Sequence, residues 1–83
     1  MKIIVVSNDL DFSRIIVIPV KNFGTAIKRN LNRRQYKEIY RLNKYSIKKG
    51  FDIAAIIYKG KDFTYEEKEK DFLILLGKAN LLA

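Results

Sequence analysis

Residues 25–49, TAIKRNLNRRQYKEIYRLNKYSIKK, decide how the rest of the chain is read. At about 100° per residue, Tyr36, Ile39, Tyr40, Asn43 and Ile47 gather on one side, which is a core-facing pattern. Arg33, Lys37, Arg41, Lys44 and Lys48 lie along the opposite face, with Asn30 and Arg34 beside them. The spacing predicts one long amphipathic helix. Thr25 reads as its N-cap. Gly50 reads as its C′ residue, with Lys48 and Lys49 favourably placed at the negative end of the dipole.

The same stretch holds the whole positive imbalance of the chain. It carries nine basic residues against one acid, Glu38, for a net charge of +8, which is also the net charge of all 83 residues. Outside it, eight basic residues balance eight acidic ones. Charge confined to one helix-length segment is an electrostatic footprint, and its natural partner is a polyanion. Like charges at i, i+4 repel and weaken an isolated helix by about 0.2–0.5 kcal/mol per pair. Alternating signs would serve solubility better, so the bland alternative, a merely solvated basic face, explains the pattern less well.

Composition narrows the function classes. Eighty-three residues with 48% hydrophobic content suit a single small domain spanning 1–83 with a core, not a disordered tail. Cysteine and histidine are both absent from the sequence. That excludes a disulfide framework and a thiolate metal site, and removes the commonest general base. Apolar runs of about five residues are far short of a membrane span. The residues from Met1 to Val6 carry no signal-peptide pattern. The default expectation is a soluble cytoplasmic protein with no membrane partner.

Working outward, residues 2–6 are β-branched and apolar and read as a strand. Residues 8–13 form a polar connection. Residues 14–20 make a second strand able to form a hairpin with the first. Pro19 lacks an N–H and places that strand at an end, bulge or edge. Residues 51–58 are a third strand, followed by a loop at 59–62. Thr64 and Glu67 form a capping-box signature, with Glu66 and Glu67 at the positive helix end. This last helix is expected to run to about Leu76 and to bury Tyr65, Phe72, Leu75, Leu76 and Ala79. The order β-β-α-β-α predicts an α+β fold, a small α/β sandwich with a mixed sheet. All three strands are apolar on both faces, which normally means burial on both sides. Two helices leave the second face partly uncovered.

The carboxylates suggest no protein active site. Asp9 and Asp11 read as a turn and its solvation. Glu66, Glu67 and Glu69 read as dipole and surface residues. A two-metal nuclease needs several acids converging on ions about 4 Å apart, a pattern neither cluster has.

Two stretches carry a family resemblance. Residues 24–34, GTAIKRNLNRR, resemble the signature of the bacterial ribonuclease P protein subunit: glycine, small polar residue, alanine, aliphatic, any residue, Arg-Asn-Arg, aliphatic, and a basic pair. Residues 49–53, KGFDI, followed by an apolar strand and FTYEE at 63–67, are similar to the family's later strand and capped final helix. The resemblance implies a fold like the second domain of a small-subunit ribosomal protein. It also implies a left-handed βαβ crossover, against the right-handed rule that the chain would otherwise be expected to follow. It implies a protein that binds RNase P RNA and assists 5′-leader removal from precursor tRNA. The RNA, with Mg2+, then performs the hydrolysis, and the protein needs no cofactor of its own.

Three departures stand out. Leu31 replaces the second Arg of the signature, and Asn32 replaces an aliphatic. The family usually begins with a further helix and short strand that line a cleft for the leader, whereas this chain starts at what would be the next strand. The expected RNA-binding residues are Lys21, Lys28, Arg29, Asn30, Arg33, Arg34, Lys37 and Arg41, since Arg suits bidentate phosphate contact and Lys supplies a point charge. Asn30 reads equally as an RNA contact or a local cap. Tyr36 and Tyr40 read as core or as base-stacking platforms, with spacing favouring core, and Phe51 and Tyr58 share the ambiguity. Two other readings remain at this level: a stand-alone RNA-binding domain, and a protein–protein module that self-associates through the uncovered sheet face.

Overall fold

A computed structural model describes residues 1–21, 23–58 and 63–82. The expected loop at 59–62 lies outside these residues. The elements are β1 (Lys2–Ser7), β2 (Arg14–Pro19), α1 (Ala26–Leu42), a short 3-10 turn (Lys44–Ser46), β3 (Phe51–Ile57) and α2 (Tyr65–Lys78). The order is β-β-α-β-α, and the sheet is mixed. β3 is its centre, antiparallel to β1 and parallel to β2.

The expected hairpin between β1 and β2 does not form, because β3 lies between them. The connection at 8–13 is long enough to span the ~10 Å across a central strand, and it folds on itself. Asn8 Oδ1 accepts a bond from the Leu10 N–H at 2.8 Å, its Nδ2 donates to Phe12 O at 3.2 Å, and Asp9 takes a positive φ of 58°. The most apolar strand takes the position with a neighbour on each side. Pro19, the last residue of β2, sits on an edge strand, where its missing N–H costs no ladder bond.

The register sorts the strands into two unequal faces. Ile3, Ala55 and Val17 form one row of the inner face, and Val5, Ile53 and Ile15 the next. Tyr36 and Ile39 of α1, Phe72 and Leu76 of α2, and Ile47 and Leu81 join Val17, Ile53, Ala55 and Ile57 in one core cluster. Each fully buried aliphatic or aromatic side chain contributes about 1.5–3 kcal/mol. Tyr36 meets Phe72 edge to face, with ring centroids 6.2 Å apart at 67°. The outer face carries Ile4, Val6, Ile16 and Ile18, all exposed. The expectation of burial on both sides therefore fails for β1 and β2.

α1 is shorter than its periodicity predicts. It stops at Leu42, so Lys44 and Lys48 are not part of its stripe. Asn43 caps the helix, its Nδ2 donating to Ile39 O at 2.8 Å and to Glu69 Oε2 at 3.1 Å. Beyond it the backbone finds partners elsewhere. Ile47 bridges to Leu82, and the Lys48 N–H donates to Leu81 O at 2.7 Å. Ile47 reaches the core by this extended route, and tertiary pairing wins over helical propensity. Gly50 is thus not the C′ residue of α1. Its φ of +90° instead turns the chain into β3, where a Cβ would meet Leu10 O at 3.4 Å. Its carbonyl accepts a bond from the Asn8 N–H at 3.0 Å.

α2 has the predicted capping box. Thr64 Oγ1 accepts from the Glu67 N–H at 3.2 Å, and Glu67 Oε1 accepts from the Thr64 N–H at 3.1 Å. The helix continues to Lys78, two residues past the expected end, and Ala79 is exposed at its C-cap rather than buried. Lys68 Nζ donates to Gln35 Oε1 at 2.6 Å, tying α2 to α1.

Candidate nucleic-acid interface

The buried residues of α1 are Asn32, Tyr36 and Ile39, which fixes the orientation of the helix. With those three inward, Arg33, Lys37, Asn30, Arg41 and Arg34 occupy a contiguous outward arc at 100° per residue. Arg33 to Arg41 spans about 12 Å of helix axis. Thr25 starts the helix, its Oγ1 accepting from the Lys28 N–H at 3.3 Å, and the first turn contains no acid. The positive end of the macrodipole is therefore uncompensated beside Lys28 and Arg29, which reinforces an anion-attracting field.

The eight expected site residues do not stand alike. Arg34 and Lys37 are exposed, with no ion pair to a described residue. Arg33 is half-buried, and its Nη1 donates weakly to Asn30 Oδ1 at 3.4 Å. Asn30 thus steers Arg33 rather than capping a turn. Arg41 is engaged: its Nε and Nη2 donate to Glu38 Oε2 and Oε1 at 3.1 and 2.6 Å. The pair holds the Glu38 carboxyl below its usual range by direct hydrogen bonding. Both partners are exposed, so the pair is worth little and a phosphate can compete for the fork. Arg29 is half-buried and donates from Nη1 to the carbonyl of Val20. This single bond ties the residue just after β2 to α1, a structural duty that spacing did not reveal. Lys28 lies on the flank away from the arc, and Lys21 is exposed in the turn ahead of the helix.

The tyrosine ambiguity resolves toward packing. Burial, then the nearby Asp71 charge, pushes the buried Tyr36 phenol up to about 12. Tyr40 is half-buried and donates from its hydroxyl to Ser13 O at 3.0 Å. The Tyr36 ring is thus closed off, and Tyr40 is tied by its hydroxyl to the residue just before β2. Phe51 packs against the core, whereas Tyr58 is half exposed. Asn32 fills a core position with an amide, which donates to Lys28 O at 2.9 Å. Leu31 is exposed beside the arc, where a third arginine would have extended it.

The outer sheet face is the second surface. Ile4, Val6, Ile16 and Ala54 line a shallow apolar groove of about 260 Å³, with Arg14 and Asp52 at one end. Arg14 holds Asp52 with both arms, Nε to Oδ1 at 2.8 Å and Nη2 to Oδ2 at 2.7 Å, and Asn8 Nδ2 adds a bond to Oδ1 at 2.9 Å. These bonds lower the Asp52 carboxyl to about 2, Arg14 being the larger cause. Among the described residues, no three acidic side chains converge where a metal ion would sit. Likewise, no described helix is long and apolar enough to cross a membrane.

A three-stranded mixed sheet with two helices on one face, one of them cation-striped, defines a class: a small α+β domain built to meet a polyanion. Comparison with known proteins makes this specific, and the chain belongs to the ribonuclease P protein family, whose description, Ribonuclease P, matches residues 1–80. The ribonuclease P protein component of Petrotoga mobilis is 38% identical over 81 residues, which cover 92% of this chain and 69% of that protein. Its counterpart in Thermotoga maritima is 41% identical over 76 residues, covering 90% of this chain and 63% of that protein. The solved Thermotoga maritima RNase P protein superposes with a TM-score of 0.79 at 30% identity, over 92% of this chain and 74% of that one. The Staphylococcus aureus RNase P protein shares the fold, with a TM-score of 0.85 at 24% identity over 98% of this chain and 75% of that one.

Proposed function

We propose that this chain is the RNA-binding protein subunit of ribonuclease P. It binds RNase P RNA and assists removal of the 5′ leader from precursor tRNA, while the RNA, with Mg2+, carries out the hydrolysis in the cytoplasm. The observation that carries this reading is the outward arc of α1 in a chain of this family. The residues proposed to contact RNA are Lys21, Lys28, Arg29, Asn30, Arg33, Arg34, Lys37 and Arg41. Arg33 and Arg34 grip phosphates through planar forks, Lys37 adds a mobile point charge, and Asn30 holds Arg33 in line. Arg41 exchanges Glu38 for a phosphate on docking. Arg29 contributes chiefly by locking the helix to β2. The 83 residues act as one RNA-binding unit. The test is RNA affinity against salt. Neutralising about six phosphates makes log K fall with log salt at a slope of roughly −4 to −5, and a flat response contradicts the proposal.

The exposed outer face of the sheet supports a second reading. Ile4, Val6, Ile16 and Ile18 form an apolar surface that either receives part of the precursor tRNA or pairs with a second copy of the chain. Sedimentation without RNA separates the two. A monomer independent of concentration rules out self-association, and a concentration-dependent dimer supports it.

A further inference from the structure

The end of α1 has a feature that the long-helix reading hid. Lys44, Tyr45 and Ser46 form a 3-10 turn just beyond Arg41, and Tyr45 is 96% exposed. Tyr36, Tyr40 and Tyr65 are all at least half-buried. Lys44, Lys48 and Lys49 flank Tyr45, all exposed, and none is ion-paired to a described residue. From residue 39 to residue 51 the chain has no acid at all.

The turn is exposed but firmly held. The Ser46 N–H donates to Asn43 O at 3.0 Å and the Ile47 N–H to Lys44 O at 3.2 Å. Ile47 is 5% exposed and anchors the far side in the core. The Lys48 N–H donates to Leu81 O, and its carbonyl accepts from Ser13 Oγ, both at 2.7 Å. At the near side, Asn43 is bound to Ile39 and Glu69. With the backbone fixed at both ends, binding has only the two side-chain torsions of Tyr45 left to order.

We infer that Tyr45 is a stacking platform for one unpaired nucleotide, with Lys44, Lys48 and Lys49 neutralising the adjoining phosphates. The inference rests on the RNA-binding reading and extends its footprint beyond the helix. Duplex bases keep their faces covered, so the Tyr45 ring, the most exposed of the large hydrophobic side chains among the described residues, can stack only on a bulged, looped or terminal base. Stacking of this kind is tolerant of sequence and works beside a positively charged track. The turn begins two residues after α1 ends at Leu42, next to the end of the helix that carries Arg41, so a strand held by Arg33, Lys37 and Arg41 has this turn within reach.

The test is binding of the full chain to its own organism's RNase P RNA, with Tyr45→Ala, Tyr45→Phe and the double variant Lys44→Gln/Lys48→Gln. Tyr45→Ala is expected to bind about ten-fold more weakly at every salt concentration, with an unchanged salt slope, while Tyr45→Phe binds like wild type. Lys44→Gln/Lys48→Gln lowers the slope by about one to two. Because the ring is exposed, all melting temperatures stay at the wild-type value. Chemical probing identifies one nucleotide that loses protection in Tyr45→Ala only. Wild-type affinity in Tyr45→Ala, or equal losses in Ala and Phe, overturns the stacking site and leaves the helix interface standing. Salt-insensitive binding by the wild type overturns both.

Discussion

Asn32 and Arg34 show how differently two neighbours on one helix can be committed. The Asn32 amide is turned inward and bonded to the helix backbone at Lys28, while Arg34 is exposed and makes no ion pair with a described residue. Arg34→Ala is therefore expected to weaken RNA binding several-fold and leave the melting temperature within about 1 °C of wild type, as exposed substitutions do. A loss of more than about 5 °C would make it a structural residue. At this scale the sequence was informative where the rule was local. Thr25, Thr64 and Glu67 take their expected capping roles because capping depends only on residues three apart. Arg29 was opaque because its partner is a backbone carbonyl, and every residue has one. Arg41 and Glu38 were legible in principle as an i, i+3 pair. Glu38 was counted as the one acid among nine cations, but not paired with a particular one of them.

The elements were legible in kind and order, and less so in their ends and neighbours. A helix over residues 25–49 and one over 26–42 share the same inward pattern, because Ile47 faces the core either way. What separates them is a set of long-range bonds, from Asn43 to Glu69 and from Lys48 to Leu81, that periodicity does not contain. Asn43→Ala removes both side-chain bonds at the helix end and is expected to cost about 1 kcal/mol. That corresponds to about 4–8 °C in melting temperature for a domain of this size. An unchanged urea midpoint would show that the helix ends at Leu42 without this cap. Strand pairing failed for a related reason. Adjacent strands usually pair, but a central β3 satisfies its backbone on both sides, and the connection at 8–13 supplies its own turn.

For the molecule as a whole, two asymmetries matter: charge gathered on α1, and apolar surface left open on the outer sheet. The first was readable from the sequence because it is a matter of counting. The second was readable only as a conflict between two-sided strands and two helices. Asp52 lies at the joint between the strands on that outer face. Arg14 of β2 and Asn8, just after β1, both bind its carboxylate from β3. Its pKa is about 2 folded against 3.8 for a free side chain, so the stabilisation is fully present above 3.8 and is lost as pH falls through about 2. Asp52→Asn is expected to lower stability at neutral pH and to flatten the acid dependence across that window. Urea midpoints at neutral and acidic pH measure this, and parallel curves for the two proteins would contradict it.

The proposed role itself is tested most directly by the rate of precursor-tRNA cleavage by the organism's own RNase P RNA at limiting Mg2+, with and without this chain. The proposal predicts faster 5′-leader removal when the chain is added, and loss of that gain when Arg33 and Arg34 are both replaced by Ala. RNA binding with no change in cleavage rate would contradict it and leave a stand-alone RNA-binding domain.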